Sequence, residues 1–222
     1  MNYSIKKNKI CAVLPFYNEE KNIEKVTEQT LNFVDLIIAV NDGSTDNSAE
    51  KISHLENVIL INHDKNTGKG AALRTGFIKS MELGSEFTLT LDADGQHEPG
   101  LIPKFLERLK DYDIVIGNRL HDMKTMPLPR RLSNKLTSKL LSAKTGLKIF
   151  DSQSGFRAFR TEVLEKILPE NNGFEAESEM IIKAARKNLK IGFVNIPTIY
   201  GNDESKMESV KAIKGFIKIL LS

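Results

Sequence analysis

Hydrophobic runs and amphipathic stretches alternate along the first half of the chain. Short apolar runs, typical of buried strands, occupy residues 10–14, 34–40, 57–61, 87–91 and 113–117. Stretches with the helical spacing of apolar residues lie between them, at 19–32, 44–55, 68–83 and 98–110. Strands that alternate with helices in this way form βαβ units. The pattern therefore predicts an α/β fold with a mainly parallel sheet flanked by helices.

The pattern is less regular in the second half of the chain. Residues 118–150 are rich in Lys and Arg and contain two prolines, which predicts a loop followed by a helix at 131–144. A further helix is predicted over 174–187 and a strand over 190–196. We expect these elements to complete a single domain that spans residues 1–206.

The composition is that of a globular protein without a nucleic-acid partner. Hydrophobic residues make up 40% of the chain, which suffices for a core, and 32 basic against 29 acidic residues leave a net charge of only +3. Cys11 is the single cysteine, which excludes an intrachain disulfide and a Cys-rich zinc site and fits a reducing, cytoplasmic location. No run approaches the ~18 apolar residues needed to cross a bilayer. We therefore expect any membrane contact to be peripheral, at the cytoplasmic face.

Polar clusters follow three of the predicted strands. The segment PFYNE follows the first strand, NDGSTD the second and DADGQH the fourth. The carboxyl ends of parallel strands meet at one edge of a sheet, and ligands bind at that edge in open α/β folds. We therefore expect these three clusters to build one ligand site.

The cluster after the fourth strand contains two aspartates in alternation, Asp92 and Asp94. Alternate residues of an extended segment point the same way, so the two carboxylates can converge. Carboxylates that close repel each other unless a cation lies between them, and Mg²⁺ and Mn²⁺ prefer such oxygen ligands. The alternative is a polar turn in which Gly95 supplies an unusual backbone angle. The position of the pair after a βαβ strand favours the metal site.

The other polar motifs have both structural and ligand-binding interpretations. Asp42 can accept hydrogen bonds from a base or a ribose, or it can form an Asx turn and helix cap, while Ser44 and Asp46 are expected to serve structure. The segment NTGKG at 66–70 precedes a helix whose first N–H groups favour phosphate, with added charge from Lys69. It lacks the spacing of a Walker motif, and no GxGxxG follows the first strand, so neither an NTPase nor a dehydrogenase is expected.

Taken in order along the chain, these segments resemble the family-2 glycosyltransferases of the GT-A fold. The motifs that carry the resemblance are VLPFYNEE at 13–20, VNDGSTDNS at 40–48, NTGKGAALRTG at 66–76, LDADGQHEP at 91–99, GNR at 117–119, DSQSGFRAF at 151–159, GFEAESEM at 173–180 and IPTIYGNDESKM at 196–207. The chain is most similar to the dolichol-phosphate mannosyltransferase branch and its bacterial polyprenyl-phosphate relatives. This resemblance implies a Rossmann-like GT-A domain that moves a hexose from a UDP- or GDP-sugar to a polyprenyl phosphate.

The resemblance also implies roles for particular residues. A Mg²⁺ or Mn²⁺ ion would be held by Asp92, Asp94 and Gln96. The residues implied to border the nucleotide-sugar are Pro15, Tyr17, Glu19, Asp42, Lys69 and Asp92. The residues implied to face donor or acceptor phosphates are Arg119, Arg130 and Arg131, which complete the catalytic set with Asp94. Lys206 matches a basic residue of the family's late loop, although residues 201–204 read GNDE where relatives often carry an arginine.

The chemistry of the acceptor leaves two alternatives. In both, a cation stabilises the nucleoside diphosphate as it leaves, and attack from the opposite face inverts the anomeric carbon. A lipid phosphate is ionised at neutral pH and needs cationic neighbours, which the Arg-rich stretch 119–131 offers. A glycan hydroxyl needs a carboxylate base, for which Glu179 is the candidate unless it is only a helix-surface charge. A non-catalytic nucleotide-sugar-binding module is a third alternative, against which the intact DAD motif argues.

The C-terminal residues 207–222 are predicted to form a separate basic amphipathic helix. Its apolar face comprises Val210, Ile213, Phe216, Ile217 and Leu220, and its basic face comprises Lys211, Lys214 and Lys218. Helices of this kind lie flat in the headgroup region of a membrane, so we expect the tail to contact a membrane surface. The alternative is that the helix packs on its own domain or on a second subunit of a homo-oligomer.

Overall fold

A computed structural model describes residues 9–122, 126–199 and 215–220. The strands of these residues are β1 (Ile10–Phe16), β2 (Leu36–Asn41), β3 (Val58–Asn62), β4 (Phe87–Thr90), β5 (Ile114–Asn118), β6 (Arg157–Arg160) and β7 (Ile191–Asn195). The α-helices are α1 (Ile23–Leu31), α2 (Ser48–Ile52), α3 (Lys69–Glu82), α4 (Ile102–Arg108), α5 (Leu128–Thr145), α6 (Leu164–Ile167) and α7 (Ala176–Arg186). Short 3₁₀ turns precede α4 and α6, at Pro99–Leu101 and Thr161–Val163.

The strands form one mixed sheet in the order β3-β2-β1-β4-β6-β5-β7. β1 is parallel to β2 and β4, β2 is parallel to β3, and β5 is parallel to β7. Only β6 among these strands runs antiparallel to its neighbours, β4 and β5. The predicted α/β fold with a mainly parallel sheet flanked by helices is therefore confirmed. Because β2, β1 and β4 are adjacent and parallel, the polar clusters that follow them meet at one edge of the sheet.

The sheet separates two hydrophobic layers. Along β1, Cys11 and Val13 face one layer while Ala12 and Leu14 face the other, as the two-residue period of a strand requires. The helices α3 and α7 cover the first layer, and α1 and α4 cover the second. Strands covered on both faces need apolar side chains at every position, which explains their continuous apolar runs in the sequence.

Three predicted helices differ from the structure, and one strand was not predicted. The helix predicted at 19–32 begins at Ile23, after a turn in which the Glu19 carbonyl accepts bonds from the Asn22 and Ile23 N–H groups. The helix predicted at 44–55 is reduced to α2, because side-chain bonds hold the preceding residues in a turn. The helix predicted at 131–144 begins at Leu128, since proline is tolerated in a first helical turn. Strand β6 was not predicted, because arginines at both of its ends obscure the apolar pattern.

Residues 215–220 form a helix that packs on its own domain. Ile219 is 3% exposed, and Phe216 and Leu220 pack against the same core layer as α3 and α7. Ile217, predicted to share the apolar face with Phe216 and Leu220, is instead 50% exposed. Phe216 and Leu220 of the predicted apolar face therefore pack on the domain, which is the alternative to membrane contact, whereas Ile217 lies outside the buried side. Lys218 of the predicted basic face is exposed. The other predicted face residues lie outside the described residues: Val210, Lys211, Ile213 and Lys214. No described helix has the length and apolar character to cross a membrane.

Candidate active site

Asp92 and Asp94 lie just beyond the end of β4, at the edge of the sheet that β1 and β2 share. Gly95 turns the chain there with a φ of 77°, and the Gln96 N–H donates to Asp94 Oδ1 at 2.9 Å. The polar turn considered as an alternative is thus present. It does not replace the carboxylate pair, because the charge of Asp92 reaches Asp94 and contributes to raising its pKa.

A buried lysine holds Asp92 in place. Lys69 Nζ forms ion pairs with Asp92 and with Glu177 Oε1, the latter at 2.9 Å, and the Lys69 and Glu177 side chains are only 15% and 7% exposed. His97 Nε2 lies 3.3 Å from the second oxygen of Asp92. Burial by itself would raise the pKa of Asp92, but Lys69 and His97 outweigh it and hold that pKa well below its usual range. We call Asp92, Lys69 and Glu177 the Lys69 clamp, and its charges keep Asp92 ionised.

Asp92 forms ion pairs with Lys69 and His97, whereas Asp94 forms none among the described residues. Burial and the neighbouring charge of Asp92 raise its pKa, and the Gln96 N–H only partly offsets them. No three His, Cys, Asp or Glu side chains converge as a metal site within the described part of the chain. A hard divalent ion still fits here, because Mg²⁺ commonly binds through one or two carboxylates and completes its coordination with water and substrate phosphates. The donor chemistry of Asp92 and Asp94 therefore suits such an ion.

The loop that backs Asp92 is fixed by a buried arginine that the sequence did not single out. Arg157 is 2% exposed and donates to the carbonyls of Ser152, Ser154 and Glu177 at 2.8–2.9 Å. The same loop contains Gly155, where any side chain would collide with the Asp92 carboxylate. Arg157 thus ties the loop after α5 to the start of α7. Its only signal in the sequence was its place in the DSQSGFRAF motif.

Arg119 belongs to the same cluster of charges. Its guanidinium forms a two-point contact with Asp151, Nε to Oδ2 at 2.8 Å and Nη2 to Oδ1 at 3.1 Å. Burial would lower the pKa of Arg119, but Asp151, with contributions from Glu177 and Asp92, raises it above its usual value. The structure therefore places this predicted phosphate-facing residue beside the aspartates, with Asp151 as a partner that the sequence did not assign.

The carboxylate of Asp42 is used to hold a loop. It is 3% exposed and accepts bonds from the N–H groups of Thr67 and Gly68, from the Thr67 hydroxyl and from His63 Nδ1, at 2.7–3.0 Å. Burial would raise the pKa of Asp42, but these donors leave it below its usual value. The Asx turn expected of the NDGSTD segment is formed by Asp46, whose Oδ1 accepts the Ser48 N–H at 3.1 Å at the start of α2. A contact of Asp42 with the nucleotide stays a prediction.

The start of α3 is not a phosphate cradle. The Gly68 N–H donates to Asp42, and the Gly70 N–H donates to the Asn172 carbonyl at 2.7 Å. Lys69, whose charge was expected to assist there, is engaged by Asp92 and Glu177 instead. The predicted use of these N–H groups for phosphate is therefore wrong, because protein oxygens already satisfy them.

Glu179, the predicted candidate base, is buried and paired with other groups than the aspartates. Glu179 is 7% exposed, so the alternative of a helix-surface charge is wrong. Its oxygens accept the N–H groups of Glu170 at 2.8 Å and Asn171 at 3.0 Å, and they pair with Lys183 at 2.7 Å. Burial would raise its pKa, but these contacts hold the pKa below the usual value. The carboxylate of this segment that reaches the aspartates is Glu177, which the sequence did not single out.

The remaining predicted residues stand apart from the Lys69 clamp. Pro15 lies within β1, and Tyr17 and Glu19 follow it, with the Glu19 N–H bound to Ser48 Oγ at 2.8 Å. Arg130 and Arg131 lie in the first turn of α5. The roles of these five residues stay predictions. Lys206 lies outside the described residues.

Comparisons with known proteins agree with this geometry. The family model described as glycosyl transferase family 2 matches residues 11–168. A UDP-N-acetylglucosamine–dolichyl-phosphate N-acetylglucosaminyltransferase from Methanococcus voltae is 38% identical over 218 residues, covering 86% of this chain and 86% of that protein. A dolichyl-phosphate beta-glucosyltransferase from Trichomonas vaginalis is 30% identical over 235 residues, covering 95% of this chain and 70% of that protein. The crystal structure of Mycobacterium tuberculosis glucosyl-3-phosphoglycerate synthase with Mn²⁺, UDP and glucosyl-3-phosphoglycerate matches with a TM-score of 0.78 at 21% identity, covering 96% of this chain and 79% of that chain.

Proposed function

This chain belongs to glycosyl transferase family 2, and we propose that it transfers a sugar from a nucleoside-diphosphate sugar to the phosphate of a polyprenyl lipid, with inversion of the anomeric carbon. The GT-A fold that the resemblance implied is confirmed. Both relatives compared above are named for transfer to dolichyl phosphate, and both match most of this chain. The observation that carries the proposal is the Asp92–Asp94 pair, held at the ligand-binding edge of the sheet by the Lys69 clamp.

We assign the donor diphosphate to the aspartate pair. A Mg²⁺ or Mn²⁺ ion bound by Asp92 and Asp94, with Gln96 as a further oxygen donor, would neutralise the negative charge that develops on the leaving diphosphate. Mn²⁺ and UDP are bound in the M. tuberculosis structure of the same fold. The Lys69 clamp serves this step by keeping Asp92 ionised and by fixing its position beside Asp94.

The contacts of the Glu177 and Glu179 carboxylates support a phosphate acceptor over a hydroxyl acceptor. Glu179 is held by two backbone N–H groups and Lys183, and its lowered pKa makes it a poor base. Glu177 is paired with Lys69. An acceptor phosphate has no proton to lose at neutral pH, so it needs neither residue as a base. It needs cations, and we propose Arg119, Arg130 and Arg131 for that role.

The test is transfer by the purified full-length chain to a short-chain polyprenyl phosphate in detergent. We would offer UDP-N-acetylglucosamine, UDP-glucose and GDP-mannose with Mg²⁺ or Mn²⁺, beginning with the first because it is the sugar named for the Methanococcus relative. The expected result is a metal-dependent glycolipid product that EDTA prevents. Asp94→Ala should reduce transfer by about 100-fold or more, as loss of charge stabilisation at a transition state does. Asp111→Ala, at an exposed aspartate, is the matched control.

The acceptor class is tested by a second pair of variants. Glu179→Gln should keep most of the rate with polyprenyl phosphate, whereas Arg119→Gln should raise the Michaelis constant of the acceptor or depress turnover. Circular dichroism of each variant checks that the fold is retained. Transfer that persists in EDTA would refute the metal assignment. Collapse of activity in Glu179→Gln, with product on a glycan hydroxyl, would favour the other class of acceptor.

A further inference from the structure

Helix α5 packs on the domain through polar side chains and Leu141, which is fully buried, and turns its other four leucines outward. The buried side of the helix includes Asn134, Thr137 and Ser138, which are 6%, 9% and 4% exposed. Four leucines at intervals of four residues lie on the other side. They are Leu128, Leu132, Leu136 and Leu140, with exposed fractions of 66%, 68%, 58% and 39%. We call these four residues the leucine stripe, and their spacing places them along one side of the helix.

The orientation of α5 is fixed by its contacts with the loop that backs the active site. The Ser152 N–H donates to Ser138 Oγ at 3.0 Å, and Ser152 Oγ donates to Thr137 Oγ1 at 3.3 Å. Arg157 binds the carbonyl of the same Ser152. A helix that buried its leucines instead would lose these bonds. The leucine stripe therefore faces outward as a consequence of how the site is built.

The charged residues of α5 and of the segment that follows it, up to residue 148, are all basic. Residues 128–148 contain no Asp or Glu. Lys135 and Lys139 are exposed and follow Leu132 and Leu136 by three residues, so they border the stripe. An apolar stripe flanked by lysines is the pattern of helices that lie in the interface of anionic membranes. Water does not solvate the leucines favourably, whereas an anionic bilayer offers an apolar interior to the leucines and negative charges to the lysines.

We propose that the leucine stripe docks this protein on the surface of an anionic lipid bilayer. The leucines insert at the boundary of headgroups and acyl chains, and Lys135 and Lys139 contact the lipid phosphates. This inference rests on the proposed function. Arg130 and Arg131 lie in the first turn of α5, so docking through this helix would bring the candidate acceptor residues to the membrane. It assigns the membrane contact to α5, whereas residues 215–220 use Ile219 to pack on the domain.

Sedimentation with vesicles tests the docking surface without any substrate. The probe is vesicles of phosphatidylcholine alone or with about one third phosphatidylglycerol, at low and high salt. The full-length protein should pellet with the anionic vesicles, and less so at high salt. Leu132→Gln combined with Leu136→Gln should lower the partition constant by at least about tenfold, because two inserted leucines are lost. These side chains are exposed, so the fold should tolerate the change; thermal unfolding checks this.

Two matched controls separate this surface from others. Ile78→Gln changes a residue of similar exposure on α3, 41% exposed, and should leave the partition constant within about twofold. Ile217→Gln changes an exposed residue of the C-terminal segment, 50% exposed, and should do the same. Release of the protein by Ile217→Gln alone would assign docking to the tail and overturn the proposal. Equal sedimentation of wild type and the double variant would overturn it as well.

Two further outcomes are distinguishable. Analytical ultracentrifugation that shows a dimer in the wild type and a monomer in the double variant, without vesicle binding, would make the leucine stripe an interface between two copies of this chain and overturn the proposal. Transfer to the detergent-dispersed acceptor should be equal in wild type and double variant, whereas transfer to acceptor in anionic vesicles should fall with the partition constant. Vesicle binding through the stripe without transfer to any polyprenyl phosphate would refute the proposed function and leave the docking surface standing.

Discussion

Replacing Lys69 with methionine tests whether the Lys69 clamp is the electrostatic support of the site. Methionine keeps an unbranched apolar stem but removes the charge that Asp92 and Glu177 share. Glu177 is 7% exposed at its side chain, so water cannot replace the lost partner without rearrangement. The structure therefore predicts that Lys69→Met leaves the buried Glu177 carboxylate without its ion-pair partner.

The expected size of the effect follows from that burial. Removal of one partner of a buried ion pair costs about 3–5 kcal/mol, against a total stability of roughly 5–15 kcal/mol for a domain. Replacing Glu177 with glutamine in the same chain removes the stranded charge. We therefore expect Lys69→Met/Glu177→Gln to be more stable than the sum of the two single changes predicts, by about 1–3 kcal/mol.

Urea unfolding of the four proteins at pH 7, monitored by circular dichroism, measures this coupling. The wild type, both single variants and the double variant form one double-mutant cycle. Lys69→Gln serves as a second version of the single change, because it keeps a polar end where methionine has none. Free energies of unfolding that add within about 0.5 kcal/mol would show that Lys69 and Glu177 do not depend on each other. The reasoning about the clamp would then be wrong.

Three further predictions concern the aspartates and their support. Asp94→Asn should raise the melting temperature in EDTA by about 2–4 °C while transfer is lost, because it removes repulsion from Asp92; an unchanged or lower melting temperature would contradict this. Asp42→Asn should lower the free energy of unfolding by about 2 kcal/mol at pH 7. Because the folded-state pKa of Asp42 is lowered, this difference from wild type should shrink as the pH falls below the ordinary value of 3.8. Urea midpoints at pH 7 and pH 3 measure the difference, and one that stays constant would count against the charge as its cause. Gly155→Ala should impair transfer through its collision with Asp92, whereas Gly100→Ala, where an added Cβ would meet only Phe33 at 3.9 Å, should leave transfer unchanged.

The hydrophobic pattern by itself determined the parallel part of the fold and the place of the aspartates. Strands β1 and β2 are buried on both faces, so their apolar runs are easy to recognise, whereas in β4 the buried threonines Thr88 and Thr90 alternate with Phe87 and Leu89. Since such strands share one direction, the polar residues after them had to meet at one edge. Asp92 and Asp94 could therefore be placed together without any structural information. Arg119, which follows β5, could be placed only through the family resemblance, and its partner Asp151 only by the structure.

Tertiary structure alone decided which charges support that site and which surface faces outward. Arg157, at the start of β6, donates hydrogen bonds to the carbonyls of Ser152, Ser154 and Glu177. The local sequence pattern does not show which carbonyls a buried arginine will contact. Glu177 and Glu179 lie two residues apart, and no sequence pattern favours either of them as the partner of Lys69.

The same limit explains α5 and the tail. Apolar spacing shows that a helix is amphipathic, but it does not say which side meets the protein. In α5 the hydrogen bonds of Ser138 and Thr137 to Ser152 turn the polar side inward, and in the C-terminal segment Ile219 turns inward by packing on the core. Those choices depend on partners distant in the sequence. The sequence therefore determines the order of the helices and strands and their hydrophobic periodicity. Contacts between distant residues decide which face of a helix is buried and which charged residues pair, because the periodicity alone does not distinguish them.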